Sequence, residues 1–423
     1  MTAAAALDRR LGTGDAVVIG LGSMIGAGVF SAWGPAAAAA GGGLLVGLLL
    51  AAAVAYCNAV ASAQLAAQYP TSGGTYVYGR ERLGPAWGFL AGWGFVIGKT
   101  ASSAAMALTF AAYLLPQPGL PQRLLAVAAV IGLTAVNYRG ISRTAGLARV
   151  LVVLSIAALL AFVGVAGFGA LSRPGTLAAQ GPGGGAYGVL QSAGLLFFAF
   201  AGYARIATLG EEVREPARTI PRAIPRALGI TVIIYLAVGT TALAAAGAAQ
   251  LAGSARPLAT AIEAVHAAWA LPIVQAGAAV ASLGALLALI AGVGRTALAM
   301  ARNGDLPRWL SSVHPRFRVP DHAELALGVA ISLLVLATDL RGAIGFSSFG
   351  VLIYYAIANA AAFTQTAAAR RWPRALNVAG LLGCLVLVAT LPVQAVLAGL
   401  AMFAVGLAGW LLASRLRRSP ATA

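Results

Sequence analysis

Gly20-Leu21-Gly22-Ser23-Met24-Ile25-Gly26-Ala27-Gly28-Val29-Phe30 sets four glycines within nine residues of an otherwise apolar run. Each glycine weakens a helix by roughly 1 kcal/mol relative to alanine. If the run crosses a bilayer, unwound backbone is tolerable there only where it is buried in protein or lines a cavity. Two readings are open. The Gly22/Gly26 and Gly20/Gly28 spacings suit close helix packing of the small-xxx-small kind, and the same glycines suit a helix interrupted at membrane depth.

Composition shows that the run does lie in a membrane. Of 423 residues, 60% are hydrophobic and 9% charged, with a mean hydropathy of +0.87, whereas soluble domains carry roughly 25% charged residues. A water-soluble chain this poor in charge could not cover its surface, so the expectation is an all-α polytopic membrane protein in a single domain over 1–423. Apolar runs of about 20 residues fall near 15–38, 43–67, 85–114, 121–138, 145–169, 187–210, 224–247, 270–302, 323–338, 342–369, 375–390 and 392–414. The first run has no plausible cleavage end and reads as a retained span. Cys57 and Cys384 lie inside apolar runs and read as buried thiols.

The 27 arginines test the count of twelve. With the N-terminus inside and the spans alternating, 22 of them fall on the cytoplasmic side. Arg123, Arg173, Arg256 and Arg341 fall opposite, and Arg205 lies within a span. That asymmetry predicts twelve spans with both termini cytoplasmic in the plasma membrane. It also explains the net charge of +17 as a topology signal, so no nucleic-acid partner is expected.

A second irregular stretch, Phe197-Phe198-Ala199-Phe200-Ala201-Gly202-Tyr203, lies in the sixth span. Spans one to five and six to ten can form two halves, about 14–170 and 187–369, with extra helices at about 375–414. Five spans is an odd number, so the second half inserts inverted. Interrupted helices at matching places in inverted halves point to a transporter's substrate site. A break frees amides at the start of one half-helix, which favour an anion, and carbonyls at the end of the other, which suit an ammonium. Together they suit the zwitterionic head of an α-amino acid.

With these residues in view, the chain resembles the amino acid–polyamine–organocation superfamily, specifically its bacterial amino acid permeases. Gly22-Ser23-Met24-Ile25-Gly26-Ala27-Gly28-Val29-Phe30 is similar to the family's first-helix motif, and Tyr69-Pro70-Thr71-Ser72-Gly73-Gly74-Thr75-Tyr76 to the entry of its third helix. Phe198-Ala199-Phe200-Ala201-Gly202-Tyr203, leading into the segment from Glu211 to Arg222, resembles the sixth helix and its following loop. Ala299-Met300-Ala301-Arg302-Asn303-Gly304-Asp305-Leu306-Pro307 resembles the end of the eighth. The resemblance implies a LeuT-like 5+5 inverted repeat plus two helices, with helices one and six broken, working by alternating access. It implies that Ser23 and the amides of Gly26, Ala27 and Gly28 receive the substrate carboxylate. Carbonyls around Met24-Ile25 and Phe197-Ala199, beside Gly202, would take the amino group. Phe198 takes the position of the family's aromatic gate, with Phe200 nearby; ordinary packing is the other reading of both.

The departures from the family concern coupling. Where proton-coupled relatives often carry a fifth-helix lysine, this chain has Ser155, and Leu283 to Val293 of the eighth span contains no hydroxyl. The acidic residue often found two positions after the sixth-helix glycine is Ala204. Lys99 instead lies roughly fifteen residues from either end of the third span, where a cation costs at least ~2.5 kcal/mol. A buried lysine can release and regain a proton as a cavity opens and closes, so Lys99 is the candidate for proton coupling. A hydrogen bond to freed carbonyls of a broken helix, or direct substrate contact, would also account for it. Arg205 reads either as an inner-gate partner of Glu211 or as a snorkelling arginine.

No acidic residue sits near the middle of a span, which argues for a neutral amino acid; an acidic one would need Lys99 as its counter-charge. Ala104, Ala105 and Met106 would line a pocket for small to medium apolar side chains. There is no ring of pore residues for a channel, no catalytic set, no metal motif and no cofactor signature. The sequence leaves open an exchanger or exporter without proton coupling, a nontransporting amino acid sensor on the same scaffold, and the oligomeric state.

Overall fold

The structure, a computed structural model, describes residues 11–71, 73–140, 145–172, 183–208 and 212–418. It is built from helices: α1 (Thr13–Met24), α2 (Ala27–Ser31), α3 (Trp33–Ala40), α4 (Leu44–Gln68), α5 (Thr75–Leu83), α6 (Pro85–Leu114), α7 (Leu120–Tyr138), α8 (Ala145–Leu171) and α9 (Gly185–Phe200). A 3₁₀ turn (Ala201–Tyr203) leads into α10 (Ala204–Ala207), and α11 (Pro216–Ala252), α12 (Pro257–Ala264), α13 (Leu271–Arg302), α14 (Asp321–Ala337), α15 (Leu340–Phe363), α16 (Arg374–Thr390) and α17 (Val393–Arg418) complete the chain. Among the described residues the β-type pairing is one isolated bridge, Leu11 with Val213.

Among the described residues, ten segments are long and apolar enough to cross a membrane. The expected ninth and eleventh spans are represented by α14 and α16, each of 17 residues, at the short end of what a bilayer requires. Several boundaries differ from the hydropathy reading. The tenth span stops at Phe363 instead of 369, because the chain turns at Thr364, whose hydroxyl and carbonyl both accept hydrogen bonds from Arg82. The seventh begins earlier, at Pro216, a residue whose ring suits the first turn of a helix, and it kinks at Gly247. The short helices α5 and α12 have no counterpart among the expected spans, since neither is long enough to show as one.

Burial orders the bundle. The membrane-spanning window of α6 is 89% buried and that of α17 11%, so α6 is central and α17 is outermost. Helix α6 packs on α13 and α15 through a seam of small residues. A Cβ on Gly94 would lie 2.9 Å from the Gly350 carbonyl oxygen, and one on Gly98 would lie 3.1 Å from that of Ser347. Without side chains between them the two backbones approach closely, which is how helices gain packing contacts in lipid. Ser102 and Ser347 share a 2.6 Å hydrogen bond across this contact. At one end of the bundle Asp305, just past the end of α13, ties that helix to α5 and α17. Its carboxylate accepts from Tyr76 (2.7 Å), Arg80 (2.8 Å) and Trp410 (2.8 Å). Of the two cysteines, Cys384 is buried and Cys57, on α4, is only partly so.

Candidate substrate site at two broken helices

The first glycine-rich stretch is both an interruption and a close contact. Helix α1 ends at Met24; Ile25 (φ −81°, ψ 66°) and Gly26 (φ −109°, ψ −154°) leave helical geometry, and α2 resumes at Ala27. In the sixth span Phe197 and Phe198 are still α-helical, and the irregular turn falls slightly later, at Ala201–Tyr203. The two interruptions press on each other. A Cβ on Gly28 would sit 2.7 Å from Cα of Ala199, and one on Gly202 would sit 2.1 Å from the Ser23 carbonyl oxygen. Glycine is required at both places because backbone lies where a side chain would start. Gly20 and Gly22 face side-chain ends instead, of Ile206 and Val152, so these glycines also serve close helix packing.

Carbonyls from both helices converge on one hydroxyl. Tyr235 of α11 donates to the Met24 carbonyl at 2.6 Å and to that of Ala199 at 3.0 Å. A phenol has one proton to share between these acceptors, whereas an ammonium brings three. On the amide side, Gly26 N–H donates to the Met24 carbonyl (2.9 Å) and Ala27 N–H to the Met106 sulfur (3.3 Å). A thioether is a weak acceptor, which a carboxylate would readily outcompete. Ser23 turns its hydroxyl back to the Ile19 carbonyl at 2.9 Å.

Aromatic residues pack around the same two interruptions. Phe198 is 5% exposed and lies against the Gly28 side of α2. Phe200 is fully buried against Tyr235, with ring centroids 5.0 Å apart, and Phe197 meets Tyr355 edge-on at 5.8 Å. Lys99, 6% exposed, donates to the Ala201 carbonyl at 3.0 Å, and Tyr355 reaches the same oxygen at 3.3 Å. Arg205 is part-buried at the end of the sixth span, within Coulombic range of Arg295 and Glu212. It is in none of the ion pairs among the described residues, and Glu211 lies outside them.

The profile of the family described as amino acid permease matches residues 11–410. The chain belongs to the amino acid permease family. An uncharacterized transporter of Mycobacterium tuberculosis is 58% identical to this permease over 404 residues, which is 96% of this chain and 91% of the relative. A branched-chain amino acid permease of Bacillus subtilis is 27% identical, with 97% and 94% covered. A methylthioribose transporter of the same organism is 28% identical, with 85% and 79% covered. These are transporters and not enzymes, and the permease is a multi-pass membrane protein of amino acid transport.

Three residues that the sequence reading passed over brace the two interrupted helices around the candidate site. Tyr235 stands alone as a polar group among Ile233, Ile234 and Leu236, which was its only signal. Tyr355 and Tyr113 likewise sit in apolar runs; Tyr113 donates to the Phe30 carbonyl at 2.7 Å, supporting the end of α2. Met106, read only as a pocket-lining residue, is in direct contact with the amide expected to receive the carboxylate.

Proposed function

We propose that this permease is a secondary active transporter that moves a neutral amino acid across the plasma membrane by alternating access, coupled to protons through Lys99. The observation that carries the reading is the convergence of the Met24 and Ala199 carbonyls on the Tyr235 hydroxyl, beside the Ala27 amide held by Met106. Acceptors for an ammonium and a donor for a carboxylate meet at two broken helices. In this reading the substrate amino group displaces Tyr235 from one or both carbonyls, and its carboxylate displaces the Met106 sulfur from Ala27. Ser23, Ile25, Gly26 and Gly28 line the carboxylate end, and Phe197, Ala199 and Gly202 the amino end. Phe198 and Phe200 gate the site, and Arg205 with Glu211 forms the inner gate. The scaffold is twelve spans, with inverted halves at about 14–170 and 187–369, two further helices at about 375–414, and both termini cytoplasmic.

The apolar surroundings of the site support a neutral substrate. Coupling follows from chemistry: Lys99 is buried with one carbonyl partner and no ion pair among the described residues. It can give up its proton when the turn of the sixth helix moves and regain it when the turn returns. A second reading rests on the same contact. With Lys99 bonded to Ala201, the lysine serves as a tether for the 3₁₀ turn, and the permease is an exchanger.

Uptake of radiolabelled neutral amino acids into proteoliposomes separates the two. Stimulation by an inward proton gradient, lost in Lys99→Ala, supports coupling. Uptake only into vesicles preloaded with amino acid, unaffected by the gradient, overturns coupling and leaves the tether. No uptake of any amino acid under either condition refutes the transport reading.

A further inference from the structure

Between α15 and α16 the chain forms an open recess of about 440 Å³, lined by Ala367, Arg370, Arg371, Trp372, Pro373 and Arg374. Three of the six lining residues are arginines and none is acidic. None of the three arginines is in an ion pair among the described residues. Contacts from outside hold the loop in shape. Arg82 bonds Thr364 at its start, Gln64 accepts the Arg371 backbone amide at 3.2 Å, and the Arg374 guanidinium lies 5.2 Å from the centre of the Phe363 ring. The N-terminus of α16 opens at the same place, behind Pro373 and without a side-chain cap, so its dipole adds to the positive field.

What lies beyond the recess distinguishes a lipid from a free anion. Val378, Leu382 and Leu385 are exposed at 42%, 56% and 46%, and their spacing puts them on one stripe of α16. That stripe starts about one turn from the arginines and continues along the exposed apolar face of α16. Trp372 belongs to the residue type that anchors at the headgroup level. We propose that this recess binds the phosphodiester headgroup of an anionic phospholipid, with one acyl chain along the Val378–Leu385 stripe. Arginine suits the role because its planar fork matches phosphate oxygens bidentately.

The test uses the purified full chain in neutral detergent. Native mass spectrometry counts bound dioleoyl phosphatidylglycerol against dioleoyl phosphatidylcholine, with inorganic phosphate as competitor. The triple variant Arg370→Gln/Arg371→Gln/Arg374→Gln is expected to weaken phosphatidylglycerol binding on the order of 100-fold, since each arginine contributes severalfold at a membrane surface. A charge-matched control, Arg214→Gln/Arg218→Gln/Arg222→Gln, is expected to keep the preference. Equal loss in both variants means general electrostatics and overturns the site, as does no loss in either. Competition by millimolar phosphate as effective as that by lipid overturns the lipid assignment. Should the triple variant not fold, photo-crosslinking of the wild type with a phosphatidylglycerol probe decides the matter: adducts within residues 364–386 support the site, and adducts only elsewhere refute it.

Discussion

Gly202→Ala adds one carbon at the contact between the two broken helices. An ideal Cβ there would lie 2.1 Å from the Ser23 carbonyl oxygen, 2.3 Å from its carbonyl carbon and 2.6 Å from the Met24 nitrogen. Non-bonded heavy atoms sit comfortably near 3.5–4.0 Å, so the backbones must part by at least ~1 Å. All three opposing atoms are main chain, and no flexible side chain can move aside. The cost therefore falls toward the upper end of the ~1–3 kcal/mol typical of overpacking. Gly229→Ala is the matched control: it is the same chemical change, in the exposed middle of α11, with nothing within 4 Å of the added carbon. There alanine should stabilise by about 1 kcal/mol through helix propensity. The two variants should differ in sign, read as apparent melting temperature in detergent by fluorescence-detected size exclusion. Transport should fall as well, because a ~1 Å displacement of binding groups can cost on the order of 100-fold in rate. If Gly202→Ala melts with the wild type and transports normally, the claim that the interruptions are pressed together is refuted.

Other outcomes follow from named contacts. Tyr235→Phe leaves the Met24 and Ala199 carbonyls without their shared donor, at a cost of about 1–3 kcal/mol for a buried unsatisfied group. Added substrate should recover more thermal stability in this variant than in the wild type, since an ammonium would supply the missing donors. Asp305→Asn weakens the junction of Tyr76, Arg80 and Trp410. Arg80 is one-third exposed, so the ion pair itself contributes little, and about 2 kcal/mol is expected from the charged hydrogen bonds, read as a lower melting temperature that added salt changes only slightly. Met106→Leu removes the sulfur acceptor at the Ala27 amide at similar volume. Stability should change by less than about 1.5 kcal/mol, while substrate affinity shifts because the carboxylate no longer competes with the thioether.

Hydropathy located most helices to within a few residues because bilayer thickness constrains length and apolarity locally. The first-helix glycines marked where a break or a close helix contact would fall, and the break came at Ile25–Gly26. The sixth-span turn was legible only as a region: one glycine does not say which residue leaves helical geometry, and the turn came at Ala201–Tyr203. The short helices α5 and α12 carry too few apolar residues to stand out. The seam of Gly94, Gly98 and Gly350 was silent for a different reason. Small residues are common in this chain, and nothing local tells which ones face another backbone.

The composition and order of the sequence thus determined the membrane class, the set of apolar helices and the chemistry that freed amides and carbonyls can offer. These are properties of single segments, governed by solvent and by short-range backbone preference. Tertiary structure alone decided the partners. Tyr235 reaches Met24 across more than two hundred residues of chain and Ala199 from a third helix, Met106 reaches Ala27, and Lys99 reaches Ala201. A buried polar group must find a complement, but the complement is chosen by which helix faces pack together, and that choice depends on every helix in the bundle at once.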